Sequence, residues 1–161
     1  MSNPAPSNAP NNTALQDTLL RRFIGYNMKR SYLIIQADMM ATIADLGLRQ
    51  TTFSALATII ENPDITQTQL GQALSIERSG VVLIVDEMEN ADIITRNKVK
   101  TDRRSYALRA TLKGRRLWEK ASLAVGAHED KLLSTLTAQE RATLKDMLNR
   151  IEANGRATDQ S

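Results

Sequence analysis

Between Asp17 and Asp45 the hydrophobic positions Leu19, Phe23, Tyr26, Leu33, Ala37 and Met40 recur at steps of three and four, with no proline to interrupt them. This spacing predicts one face of a long helix. A second set, Leu20, Ile24, Met28, Ile35, Met39 and Ile43, falls on an adjoining face, so the helix is expected to pack against two different surfaces. Gly47 is the expected stop, and Thr51 then stands as the cap of a shorter helix carrying Phe53, Leu56, Ala57 and Ile60, ended by Asn62-Pro63.

Thr66-Gln67-Thr68-Gln69 has the spacing of a capping box and predicts a short helix through Leu70, Ala73 and Leu74. Ser75 is expected to cap the next helix, from about Ile76 to Asn90, with Glu77 in its first turn where the helix dipole favours negative charge. Two helices with almost no linker form a helix-turn-helix pattern. After Ala91-Asp92 the pattern changes: Ile93-Ile94-Thr95 and Tyr106-Ala107-Leu108-Arg109-Ala110 are short β-prone runs on either side of a polar tract, which predicts a two-stranded hairpin. Thr111 caps a long helix with Leu112, Leu117, Trp118, Ala121 and Val125, and Thr137 to Glu140 is a second capping box, opening a last helix with Leu144, Met147, Leu148 and Ile151. The expected fold class is mainly α with a small β-hairpin wing.

Composition narrows the function. With 42% hydrophobic and 24% charged residues and no uncharged apolar run near twenty residues long, nothing predicts a transmembrane helix. Residues 1–13, rich in Pro, Asn, Ser and Ala, lack the basic start and apolar segment of a secretory signal and are expected to form a disordered arm; the cytoplasm is the expected compartment. Cysteine is absent, so disulfides and thiolate metal sites are excluded. The single histidine, His128, beside Glu129 and Asp130, is a weak metal candidate, and a solvated helix face is the more ordinary arrangement for such a triplet. His128 has no plausible nucleophile partner and no phosphate-cradling glycine loop occurs, so no catalytic site, metal or cofactor is expected.

Charge is informative because it is local. From Arg96 to Arg116 nine basic residues face one acid, Asp102, whereas the whole chain carries a formal net charge of only +3. Such concentration points to phosphates as partner, although a basic run is also compatible with a solvated face.

The order of helices, the hairpin with Asp102-Arg103-Arg104 and the following Thr111-Leu112-Lys113-Gly114 together resemble the MarR family of winged-helix transcription regulators over Gln16 to Ile151. Gly47-Leu48 with Thr52-Phe53-Ser54, Thr66-Gln67-Thr68-Gln69-Leu70-Gly71 and Ser75-Ile76-Glu77-Arg78-Ser79 also sit where that family places similar residues. The resemblance implies a winged helix-turn-helix DNA-binding domain at 47–110, a helical dimerisation region at 14–46 and 111–154, and a flexible tail at 155–161. It further implies a homodimer on an inverted-repeat operator in double-stranded DNA, with affinity lost when a small aromatic or acyl ligand binds. The implied function is a transcriptional regulator, in the repressor sense; the competing reading is an architectural DNA-binding protein that answers to no ligand.

On that resemblance Ser75, Arg78 and Ser79 are placed for base or phosphate contacts and Gln69 for a phosphate contact, while Lys98, Lys100 and Arg103 hold the backbone. Arg104 is the implied minor-groove arginine, with Asp102 orienting an arginine of the wing. The chain departs from the family at Gly80-Val81-Val82-Leu83, where members often carry Thr-Val-Thr-Arg. Val82 either meets a thymine methyl or packs on the preceding helix.

Arg30 interrupts an apolar stripe between Tyr26 and Leu33, and a cation buried there would need an anion. That anion is either an acidic side chain, the commoner solution, or a ligand carboxylate or phosphate. Tyr26, Phe53 and Trp118 are the bulky residues placed to line an aromatic pocket or, more ordinarily, to fill the core. The stretch from Gly25 to Ser31 resembles members that control aromatic-acid catabolism, some of which sense acyl-CoA thioesters; this would put Arg30 and Lys29 against the ligand's negative charge.

Overall fold

The computed structural model describes residues 16–99 and 102–158, without the side chains of 98–99, 102–105 and 156–158. The chain falls into two units, Met1–Ile34 and Ile35–Ser161. In the first, a single 3-10 turn at Leu20–Arg22 precedes helix α1 (Ile24–Ala44), and Phe23 between them is extended, where the hydrophobic spacing predicts an unbroken helix. Side chains explain the break. Asn27 Nδ2 donates to the carbonyls of Arg21 (2.8 Å) and Phe23 (2.9 Å), and Asp17 accepts from Arg21 Nε (2.9 Å) and Tyr26 Oη (2.8 Å). These bonds give the backbone an alternative to a continuous helical ladder.

In the second unit α1 ends as the glycine predicts. Gly47 takes a φ of +72°, its N–H donates to Ala44 O, and the Leu48 N–H reaches back to Ile43 O (3.0 Å), which satisfies carbonyls left over at the helix end. Helix α2 (Gln50–Glu61) starts two residues earlier than expected: its cap is Arg49, whose N–H donates to Thr52 Oγ1 (2.9 Å), and Thr51 has no capping part. Strand β1 (Ile65–Thr66), too short to leave a period in the sequence, follows, then helices α3 (Gln67–Leu74) and α4 (Arg78–Asn90).

Strands β2 (Ile94–Val99) and β3 (Asp102–Ala110) form the hairpin, and β1 adds to its outer side, giving an antiparallel sheet of order β1-β3-β2. Ile65 pairs with Leu108, Ile94 with Ala110 and Lys98 with Tyr106. The polar tract between the two β-prone runs is itself mostly strand, so the hairpin is longer than those runs alone. Helices α5 (Leu112–Leu132) and α6 (Ala138–Thr158) complete the chain; α6 continues through Gly155 to Thr158, past the residue at which its sequence pattern fades. Among the described residues no helix is long and apolar enough to cross a membrane.

The main core joins α2 (Ala55, Leu56, Ile59), Leu70 of α3, Val81, Ile84, Val85 and Met88 of α4, Ile93 just before β2, and Ile94 and Leu108 of the sheet. A smaller cluster holds Ile43, Leu48 and Ala121. Phe53 and Trp118 stack across the edge of these clusters with ring centroids 4.8 Å apart, so both rings serve the core.

The segment Thr111 to Gly114 joins the hairpin to α5. Thr111 Oγ1 accepts from the Gly114 N–H (3.0 Å) and donates to Asp92 O (2.9 Å), and Lys113 Nζ donates to Ala91 O (2.7 Å). A Cβ at Gly114 would lie 2.1 Å from Ile93 O, so only glycine permits this approach of α5 to the base of the hairpin.

Candidate nucleic-acid interface

The geometry of the helix-turn-helix begins with one side-chain cap, at the start of α3. Thr66 Oγ1 accepts from the Gln69 N–H (3.2 Å) and Gln69 Oε1 accepts from the Thr66 N–H (2.9 Å), the reciprocal capping box that the sequence predicts. Ser75 behaves differently from the expectation. It closes α3 in a left-handed conformation (φ 54°, ψ 43°), and Glu77 becomes the residue flanking the start of α4. A non-glycine residue at positive φ carries a steric cost, accepted here where only three residues, 75–77, join the two helices.

Close approach then fixes how α4 is rotated. A Cβ on Gly71 would stand 2.9 Å from Val81 Cγ2 and 3.0 Å from Ile76 O, and one on Gly80 would stand 2.9 Å from Ile76 Cγ2. With Val81, Ile84, Val85 and Met88 inward, Arg78, Ser79, Val82 and Leu83 point outward. Val82 is thus partly exposed on the outer face, and it is Val81 that meets Gly71 of the preceding helix. A groove of about 540 Å³ runs between the start of α3, the first turn of α4 and Tyr106 of β3, lined among others by Thr66, Thr68, Gln72, Ser75 and Arg78. Gln69 lies exposed beside it, its Oε1 committed to the cap.

The hairpin carries the predicted wing residues only in part. Lys98 lies on β2, and Asp102, Arg103 and Arg104 lie on β3, with Asp102 paired in register to Val99. Their side chains, and Lys100 altogether, lie outside the described residues.

At the base of the hairpin the structure holds a feature that the sequence reading missed. Arg96 Nη1 meets Asp86 Oδ1 at 2.8 Å and its Nε donates to Glu89 Oε2 at 2.7 Å, so one guanidinium ties β2 to two acids of α4. The hydrogen bond from Arg96 holds the Glu89 carboxyl below its ordinary value, and the same bond raises the guanidinium of Arg96. Arg109 likewise donates to Asp64 (2.6 Å), lowering the Asp64 carboxyl. Two of the nine basic residues counted above are thus neutralised locally, and the free positive charge is smaller than the bare count. The available signal was the pair of acids three apart on α4, Asp86 and Glu89, followed by Arg96.

The expected ligand residues are distributed as follows. In the first unit, Tyr26 donates to Asp17, which lowers the Asp17 carboxyl and raises the Tyr26 phenol. Lys29 and Arg30 are exposed, which corrects the expectation that Arg30 is buried in an apolar stripe. Among the described residues Arg30 forms no salt bridge, and its charge, with that of Arg21, favours the ionised form of Asp17. In the second unit, Phe53 and Trp118 form the core stack. His128 Nδ1 lies 3.2 Å from Asp38 Oδ1, and among the described residues no cluster of metal-ligating side chains occurs.

A helix-turn-helix whose second helix turns Arg78 and Ser79 outward, next to a β-hairpin, is the arrangement of a winged-helix DNA-binding protein. The sequence pattern of the MarR family matches residues 48–106. A protein named for transcriptional regulation of the hcr operon in Thauera aromatica is 28% identical over 129 residues, covering 80% of this chain and 78% of that protein. The transcriptional repressor CouR, solved bound to a 23-mer DNA duplex, is 32% identical with a TM-score of 0.79, covering 86% of this chain and 98% of that one. The Mycobacterium tuberculosis MarR-family protein Rv2887, solved with salicylic acid, shares the fold at 24% identity and a TM-score of 0.65, covering 80% of this chain and 96% of that one. The chain belongs to the MarR family.

Proposed function

We propose that this regulator is a homodimeric, sequence-specific repressor that leaves an inverted-repeat operator when a small aromatic acid, or the acyl-CoA thioester of one, binds. The observation that carries the proposal is the outward face of α4, where Arg78 and Ser79 stand exposed on a helix whose opposite face is buried. In a major groove these first-turn side chains meet base edges and phosphates. Gln69, through the amide nitrogen that its cap does not use, Ser75 at the rim of the groove, and Lys98, Lys100 and Arg103 hold phosphates. Arg104, oriented through Asp102, enters the narrow minor groove. Replacing Arg104 by alanine is expected to weaken operator binding by about 1–3 kcal/mol with an unchanged circular dichroism spectrum; unchanged affinity would remove Arg104 from the interface.

The effector half of the reading draws support from the salicylic acid bound to Rv2887 and from the exposed Arg30, four residues from Tyr26 and so on the same face of α1. Tyr26, Lys29 and Arg30 keep the ligand role in this proposal, while Phe53 and Trp118 fill the core. The test is fluorescence anisotropy of the protein on the promoter region of its own gene, with a panel of aromatic acids and their CoA thioesters. Release by one compound, lost in Arg30→Ala while DNA affinity stays intact, is the expected result. Collapse of the fold or of DNA binding in that variant would make Arg30 structural. An architectural protein, the alternative, would lack the roughly thousandfold preference for one palindrome over random duplex that a regulator shows.

A further inference from the structure

In its second turn the outer face of α4 is apolar. Val82 is 37% and Leu83 71% exposed, directly following Arg78 and Ser79 on the same side of the helix. Rotating the helix to hide them would expose Val85 and Met88, which are fully buried, and would move Val81 from its place against Gly71, where even a Cβ would collide with it. The next polar residue on that side, Asp86, is occupied by Arg96. The second turn of the helix therefore offers a DNA duplex two branched aliphatic side chains and no free hydrogen-bonding group.

We infer that Val82 and Leu83 read thymine through its 5-methyl group, so that each operator half-site carries thymines where the second turn of α4 lies. Among the base edges of the major groove, the thymine methyl is the apolar group; at any other edge an aliphatic side chain would strip water from a donor or acceptor without replacing it. The inference rests on the proposed sequence-specific binding by α4 and names the base chemistry that it recognises.

The test starts from the duplex that the full-length protein enriches most from a random library. Each thymine of one half-site is replaced in turn by deoxyuridine, which removes the methyl and leaves the hydrogen-bonding edge intact. Burial of one methyl corresponds to about a fourfold change in affinity, and a loss of that order is expected at one or two thymines. At those thymines Val82→Ala or Leu83→Ala is expected to abolish the penalty. Both positions are exposed, and circular dichroism of each variant checks that the fold is kept. Indifference of the wild-type protein to every replacement, or a penalty that persists in both variants, overturns the inference while leaving sequence-specific binding standing. Enrichment of no duplex would overturn both.

Discussion

Helices α4 and α6 each carry an apolar stripe of four residues and use it in opposite ways. In α4, Val81, Ile84, Val85 and Met88 are buried against α2, α3 and the sheet, so the helix is held by its own chain. In α6, Leu144, Met147, Leu148 and Ile151 follow the i, i+3, i+4, i+7 spacing of an apolar stripe, yet all four are 40–52% exposed. A stripe of this kind on a surface asks for a partner. The lobe that meets DNA is thus complete within one chain, whereas the last helix has an apolar face that a second copy, the partner in the proposed homodimer, would cover.

The largest expected effect breaks the second half of this contrast. Placing acids on the stripe, as Leu144→Glu with Leu148→Glu, is expected to give a monomer by light scattering. It should cost on the order of 100-fold in operator affinity, because two half-sites would no longer be held by one particle. The helix-turn-helix should stay folded, since neither residue contributes to its core. A dimer that persists would place the interface elsewhere.

A smaller effect tests the self-sufficiency of the lobe. Gly114→Ala forces a methyl against Ile93 O and is expected to lower stability by about 1–3 kcal/mol in urea titration, without altering the oligomeric state. A shift below experimental error would mean that α5 can move away from the hairpin at little cost.

The smallest effect concerns the Arg96 clamp. The Glu89 carboxyl is held below 4.5 by the Arg96 hydrogen bond, so its folded value lies under its unfolded one. Its stabilisation is accordingly present above pH 4.5 and is lost as pH falls through the depressed folded value. Glu89→Gln should be less stable than the parent by under about 1 kcal/mol near neutrality, because the pair is partly solvated. The gap is expected to close on acidification to about pH 3, and a gap independent of pH would assign it to packing.

The candidate interface was legible where a single turn of chain decides the structure. Gln69 with Thr66, Thr111 with Gly114 and Thr137 with Glu140 form the caps that the sequence predicts, since each bond spans three residues. The separation of α3 from α4 and the outward placing of Arg78 and Ser79 follow from the hydrophobic period. Ser75 misled because a serine between two helices suits both an end and a start, and only the packing of Gly71 against Val81 settles the turn that it must make.

Sequence by itself determined the order of the long helices and the hairpin, the caps at Thr66, Thr111 and Thr137, the stop at Gly47 and membership of the MarR family, because these depend on neighbours within a turn or on motifs along the chain. Tertiary structure decided the partners of charges and the faces of helices. Arg109 finds Asp64 from 45 residues away, Arg96 reaches back to α4, β1 exists only because β3 lies beside it, and Arg30 stands in solvent despite its apolar stripe. The reason is that burial and ion pairing are set by segments distant in sequence, and a pattern of residues states what each segment can bury without stating which surface will meet it.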